Sequence, residues 1–244
     1  MTSSARFWTC WFEASTSARR WSSTARTPRR PELSATAVEG SRRVCGRFSL
    51  DRFPESVVAA LIDAEIEFAP RAEVCPADRV DVVFRGDVGN EIASMQWGWK
   101  RSFSSKPLIN ARSAGAWEKK IWAQALRDRR CIIPASGFFE WDENQPQGRR
   151  DKYRIEPMDG DGFAFAGLYE ISTGGEMFMS ILTTSPSPRL SRIHHRMPVI
   201  LNRDCYAGWL ESKDRKLLDP MMRPLHDNQL RLTREQREPD LFSM

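Results

Sequence analysis

The stretch FAFAGLYEISTGGEMFMSILTT, residues 163–184, decides the fold. Its two apolar runs, Phe163 to Glu170 and Met177 to Thr184, have strand length and carry the aromatic and β-branched residues that pack on a pleated surface. Working outward, Val80 to Phe84, Ile92 to Trp97, Cys131 to Pro134, Phe138 to Trp141 and Tyr153 to Glu156 read as further strands, with Asn144 to Arg150 as a hairpin loop. Short strands are also expected at Cys45 to Leu50 and Pro198 to Leu201. Pro54 to Ala64 reads as a helix, with Pro in its first turn and Val57, Val58, Leu61 and Ile62 in one stripe. Trp117 to Arg130 is a second, with Trp117, Ile121, Trp122, Ala125 and Leu126 on one face, and Arg203 to Leu210 a short third. Residues 98–115 read as a long polar connection, of a length that often carries function. The chain after Leu210 is mixed and polar. Strands with interspersed helices predict one domain of the α+β class.

The 244 residues carry 37 basic and 32 acidic side chains, a net charge of +5. Residues 1–43 hold eight arginines and three acidic residues, which leaves 29 of each sign in the rest. A nucleic-acid site in the body of the protein must therefore be a local basic patch, not a global field. Ser, Thr, Ala and Arg make up 28 of those first 43 residues, and Phe7, Trp8, Trp11 and Phe12 follow no sustained period. Such a segment buries too little to offset its ordering entropy, so it is expected to be disordered. It reads as a DNA-attracting tail, a transit-like peptide or a stretch outside the mature protein. No apolar run approaches membrane-span length and no signal peptide is recognisable, so the expected location is the cytoplasm. Five cysteines (Cys10, Cys45, Cys75, Cys131, Cys205), odd in number and without paired spacing, point to a reducing compartment. The His and Cys residues lack metal-ligand spacing, so no metal or other cofactor is expected.

Four segments in order carry the chemistry: Cys45-Gly46-Arg47-Phe48, Ile109-Asn110-Ala111-Arg112, Gly137-Phe138-Phe139-Glu140-Trp141 and His194-His195-Arg196-Met197-Pro198. With Trp97-Gly98, FAFAGLYE (163–170) and ILTT (181–184) between them, they resemble the SOS response-associated peptidase (SRAP) family over roughly Val44 to Leu210. The resemblance implies a single domain with a strand-rich, mixed, barrel-like core and surrounding helices. It also implies a protein, associated with the nucleoid, that binds single-stranded DNA at abasic sites; nothing in the sequence requires more than a monomer. In the family the first residue after the initiator Met is a cysteine. Its α-amine condenses with the aldehyde of the ring-opened sugar, and its thiol closes a thiazolidine ring, leaving a covalent protein–DNA crosslink. The residue chemistry agrees: a 1,2-aminothiol exists only on an N-terminal cysteine, and an α-amine with a pKa of about 7.7–8.0 is partly free base at neutrality.

The carry-over makes Cys45, Asn110, Glu140 and His194 the catalytic set, and Arg47, Arg112, Arg196 and Trp97 the DNA contacts. Glu140 among aromatics is expected to have a raised pKa and to protonate the sugar oxygen or shuttle protons; its bland alternative is a solvated strand-edge carboxylate. His194 suits proton transfer near neutrality, with His195 ranked second. Asn110 and Arg112, two apart, share a face if extended; Asn110 orients the amine or sugar and Arg112 grips a phosphate. Trp97 and Trp99 are stacking surfaces or core. Cys75, Cys131 and Cys205 read as small buried residues.

Val44 stands where the family has Met. The expectation is a GTG start codon at residue 44, or cleavage after it, with 1–43 outside the mature protein and 44–244 as the domain. Further departures are Glu73-Val74-Cys75-Pro76 in place of Asn-Val/Ile-Ala-Pro, and Ser113-Ala114 in place of Glu-Thr. The charged, irregular Met222 to Met244 stands where the family completes its sheet. Two other functions are weighed: a thiol (auto)peptidase using Cys45 and His194, and a non-catalytic single-stranded-DNA binding module.

Overall fold

The computed structural model describes residues 45–62 and 69–236. The strands are β1 (Phe48–Leu50), β2 (Arg71–Val74), β3 (Arg79–Arg85), β4 (Asn90–Trp97), β5 (Trp99–Arg101), β6 (Ser104–Leu108), β7 (Asn110–Arg112), β8 (Arg130–Ala135), β9 (Gly137–Trp141), β10 (Lys152–Pro157), β11 (Phe163–Ile171), β12 (Met177–Thr184), β13 (Met197–Pro198) and β14 (Leu230–Arg234). The helices are α1 (Glu55–Ala59), α2 (Lys120–Asp128), α3 (Tyr206–Glu211) and α4 (Arg215–Met221). The fold is α+β and strand-rich, as the patterning predicts.

The two apolar runs of residues 163–184 pair antiparallel, with Gly167 opposite Ile181 and Ile171 opposite Met177. From β11 the sheet runs through β8, β3, β4 and β12, and the β11–β12 pairing closes it into a five-stranded barrel. The β4–β12 contact is parallel; the other four are antiparallel. Side chains alternate across the wall with the period of two that strands impose. On β11, Phe163, Phe165 and Tyr169 join one core cluster, while Ala164, Ala166 and Leu168 join a second with α2, α3 and α4. Gly167 is required where it stands, because a Cβ there would lie 2.7 Å from Cys131 Sγ. A second sheet, β14-β10-β9-β1-β2, packs Phe48, Phe138 and Ile155 into the first cluster. There Phe48 meets Trp97 at 5.2 Å and Phe165 at 5.9 Å between ring centroids.

Several expectations need correction. The supposed polar connection 98–115 contains a hairpin, β5–β6, and then β7, which lies parallel to β12 with Asn110 beside Ile181 and Arg112 beside Thr183. These strands are short, and β6 is largely exposed, so they carry no apolar period to read. Within the described part of the tail expected to be irregular, Leu230–Arg234 pairs with β10 and completes the second sheet. Its alternation of Leu230 and Leu232 with Arg231 and Thr233 is a strand signal diluted by charge. At Pro198 to Leu201 the ladder covers only Met197–Pro198, followed by a single bridge from Ile200 to Phe165. Cys45 precedes the first strand, which starts at Phe48. α1 occupies the first part of its expected range, and residues 63–64 of that range lie outside the described residues, as do 1–43. Among the described residues no helix is long and apolar enough to cross a membrane.

At the junction of α2 and β8, Arg130 is 4% exposed. Its guanidinium donates to the carbonyls of Leu126 and Arg127 at the end of α2 and of Trp209 and Ser212 around the end of α3. Helix C-termini leave such carbonyls without intrahelical partners, and one buried side chain here satisfies both ends. Burial lowers its pKa to about 10.

Candidate active site

The second sheet brings Glu140 to Cys45. On β9, Glu140 lies opposite Tyr153, and its side chain is enclosed, with 2% of the residue exposed. The backbone N–H of Cys45 donates to Glu140 Oε1 at 2.8 Å. Cys45 is fully buried and holds a φ of +41°, a left-handed conformation that disfavours residues with a Cβ. His194, on the turn before β13, places Nε2 3.5 Å from Glu140 Oε2 and 3.3 Å from Glu143 Oε1. Its other ring nitrogen, Nδ1, lies 3.0 Å from the Arg196 carbonyl oxygen.

Burial dominates the electrostatics. It pushes the Glu140 carboxyl well above the usual carboxylate range, with the charge of Glu143 adding to it and the Cys45 N–H opposing. Burial also raises the Cys45 thiol, helped by the charge of Glu140. The His194 imidazole is shifted downward by burial, against the Arg196 backbone bond and Glu143. Glu143 is raised by burial but brought below its usual value on balance by its bond to His195 and the neighbouring imidazoles. Both shifts favour the uncharged forms, a protonated carboxyl next to a neutral imidazole, a pair able to hand one proton back and forth.

A basic group borders this site. Arg196 donates through Nε to Thr183 Oγ1 at 3.1 Å and through a terminal nitrogen to the Thr183 carbonyl at 2.6 Å. Burial and the positive charge of Arg112 lower its pKa to about 10. Among the described residues no carboxylate forms an ion pair with either arginine. Two guanidiniums that repel one another suit a shared anion. Asn110 shares the strand face of Arg112, with Ala111 buried opposite.

The structure thus gathers Cys45, Glu140 and His194, and sets Arg112 and Arg196 beside each other. Trp97 is corrected: it is fully buried, and its Nε1 donates to the Ile109 carbonyl at 2.9 Å, so it supports β7 rather than offering a stacking face. Trp99 is likewise 1% exposed. Arg47 is held in an ion pair by Glu73, the residue that replaces the family's amide, and Glu73 also pairs with Lys152. Reading Arg47 as a DNA contact must therefore include the cost of breaking that pair. Three features escaped the sequence reading. Glu143 carries no motif and reaches the histidines only because the loop after β9 folds back. Thr183 seats Arg196. Phe103, 74% exposed in the turn between β5 and β6, is an aromatic that does face solvent.

Residues 44–238 match the sequence pattern of the SOS response associated peptidase (SRAP) family, and the chain belongs to it. Among curated relatives, the abasic site processing protein YoqW of Bacillus subtilis is 32% identical over 196 residues, covering 74% of this chain and 87% of the relative. The abasic site processing protein YedK of Escherichia coli is 27% identical over 182 residues, covering 70% and 81%. A crystal structure of a protein from Bacteroides thetaiotaomicron shares the fold, with a TM-score of 0.67 at 22% identity over 79% of this chain and 92% of that one.

Proposed function

We propose that this protein binds single-stranded DNA at abasic sites and joins it covalently through Cys45, in a form whose chain begins at that residue. The observation that carries the reading is the Cys45 nitrogen, 2.8 Å from a buried carboxyl that itself faces His194. Relatives named as abasic site processing proteins support the substrate class. In the chain starting at Cys45 that nitrogen is an α-amine. It attacks the sugar aldehyde, the carbinolamine loses water to give an imine, and the thiol adds across the C=N bond to close the thiazolidine. Glu140, whose proton burial favours, gives it to the ring oxygen; His194 takes a proton from the attacking nitrogen and returns it to Glu140, which then gives it to the departing hydroxyl. Arg112 and Arg196 hold flanking phosphate. The raised thiol argues against a thiolate–imidazolium peptidase, which needs the thiol pKa depressed.

The test is a denaturing gel with single-stranded DNA bearing one abasic site. Protein starting at Cys45 is expected to give a heat-stable shifted band, lost in Cys45→Ala and in a form with a residue before Cys45. No band from folded protein rejects the crosslink. Salt-sensitive binding that is equal in the Cys45 form and in Cys45→Ala, with no band from either, assigns the protein to the non-catalytic class.

Arg112→Ala is expected to weaken binding several-fold for every sequence tested. The slope of log affinity against log salt should fall by about 0.7, the contribution of one phosphate contact on a single strand. An unchanged slope in a fluorescence-anisotropy titration removes Arg112 from the interface.

A further inference from the structure

We propose that Glu143, His194 and His195 form a binding site for a divalent transition metal, zinc foremost, and that a metal bound there blocks the proton relay through His194. Among the described residues they are the one group of three such side chains whose donor atoms all lie within 4.8 Å of one another. Glu143 faces both imidazoles: Oε1 is 3.3 Å from His194 Nε2, and Oε2 is 2.6 Å from His195 Nδ1. Two imidazole nitrogens and one carboxylate are a donor set that zinc takes, with bonds of about 2.0–2.2 Å and room for a further ligand. Imidazole donors also favour such ions over magnesium or calcium.

The surroundings fit the role. A metal-bound histidine usually gives its second ring N–H to a carbonyl or carboxylate, which fixes tautomer and ring orientation. His194 Nδ1 already meets the backbone of Arg196, 3.0 Å from its carbonyl oxygen and 3.2 Å from its N–H, so the ring is held with Nε2 turned toward Glu143. The other side has access from solvent, since the His195 side chain is 42% exposed and Glu143 14%. The metal replaces the proton that His195 Nδ1 shares with Glu143. Spacing along the chain could not reveal this group, because Glu143 lies 51 positions before His194 and comes near only through the loop after β9.

The consequence for activity rests on the crosslinking reading. The Nε2 that the metal takes is the atom that faces Glu140, at 3.5 Å. With that lone pair occupied, the imidazole no longer accepts a proton, and crosslink formation stops until the ion is removed.

The binding test uses the full 244-residue chain, freed of metal and titrated with cobalt(II), which is then displaced by zinc. Saturation at one ion per chain is expected, with visible ligand-field bands and no near-ultraviolet thiolate charge-transfer band. His195→Ala should weaken binding at least tenfold. A thiolate band, or equal affinity in His195→Ala, overturns the site. A second arm measures crosslinking in chains starting at Cys45, where zinc should inhibit the parent at concentrations that leave His195→Ala active. Equal inhibition of both assigns the effect to chelation by the terminal aminothiol and overturns the relay block. If neither protein crosslinks without metal, the crosslinking reading has failed, and the cobalt titration alone judges the site.

Discussion

Glu140→Gln is expected to slow crosslink formation by about a hundred- to ten-thousand-fold, the usual contribution of a positioned general acid or base. The amide still accepts from the Cys45 nitrogen but has no proton to give. The same substitution is expected to stabilise the folded chain above neutral pH. In the folded state the Glu140 carboxyl titrates above its unfolded value of about 4.3, so between these values the folded chain keeps a proton that the unfolded chain has released. Stability then falls as pH rises, by up to about 1.4 kcal/mol per pH unit. His194 works in the opposite sense: its folded value lies below about 6.5, so its contribution is lost as pH falls below that point and is complete above it. Above about pH 6.5, up to the folded value of the carboxyl, only the Glu140 slope of these two remains. Urea unfolding of the full chain in chelator-containing buffer should show the parent losing stability relative to Glu140→Gln across that interval. Parallel profiles would place the Glu140 proton elsewhere and remove it from the mechanism.

Arg130→Ala is expected to cost about 3–5 kcal/mol. Four carbonyls, two of them in buried and two in part-buried bonds, lose their donor at about 1 kcal/mol each, and the cavity left by the side chain adds to this. Domain stabilities are about 5–15 kcal/mol, so the variant sits near the edge of folding. Arg130→Lys keeps the charge but cannot address the ends of α2 and α3 together, and should recover only part of the loss. A change below about 1 kcal/mol in the urea-derived stability of Arg130→Ala would mean the two helix ends are held by packing alone.

Much of this was legible from the chain. Apolar runs of strand length gave β11, β12 and most of β8 and β9, because these strands are buried on both faces and nearly every position must be apolar. The motifs located Cys45, Glu140 and His194, whose proximity the fold then supplied. What the pattern missed has a common cause. β5, β6, β7 and β14 are short or exposed, so pairing with a preformed neighbour, rather than their own apolar period, makes them strands. Trp97 shows the converse limit: an indole suits a stacking platform or a core equally, and only burial decides. Glu143 and Thr183 are ordinary residues made functional by contacts across the chain.

The left-handed backbone at Cys45 has a bearing on the beginning of the chain. The angle φ is a torsion about the N–Cα bond measured from the carbonyl carbon of the residue before. A left-handed torsion costs roughly 1–2 kcal/mol for a residue with a Cβ, and φ is defined only where a residue precedes. A cysteine that opens the chain has no such torsion. In the proposed form that opens at Cys45, the nitrogen beside Glu140 would be an ammonium or amine, and that torsion with its cost would be absent.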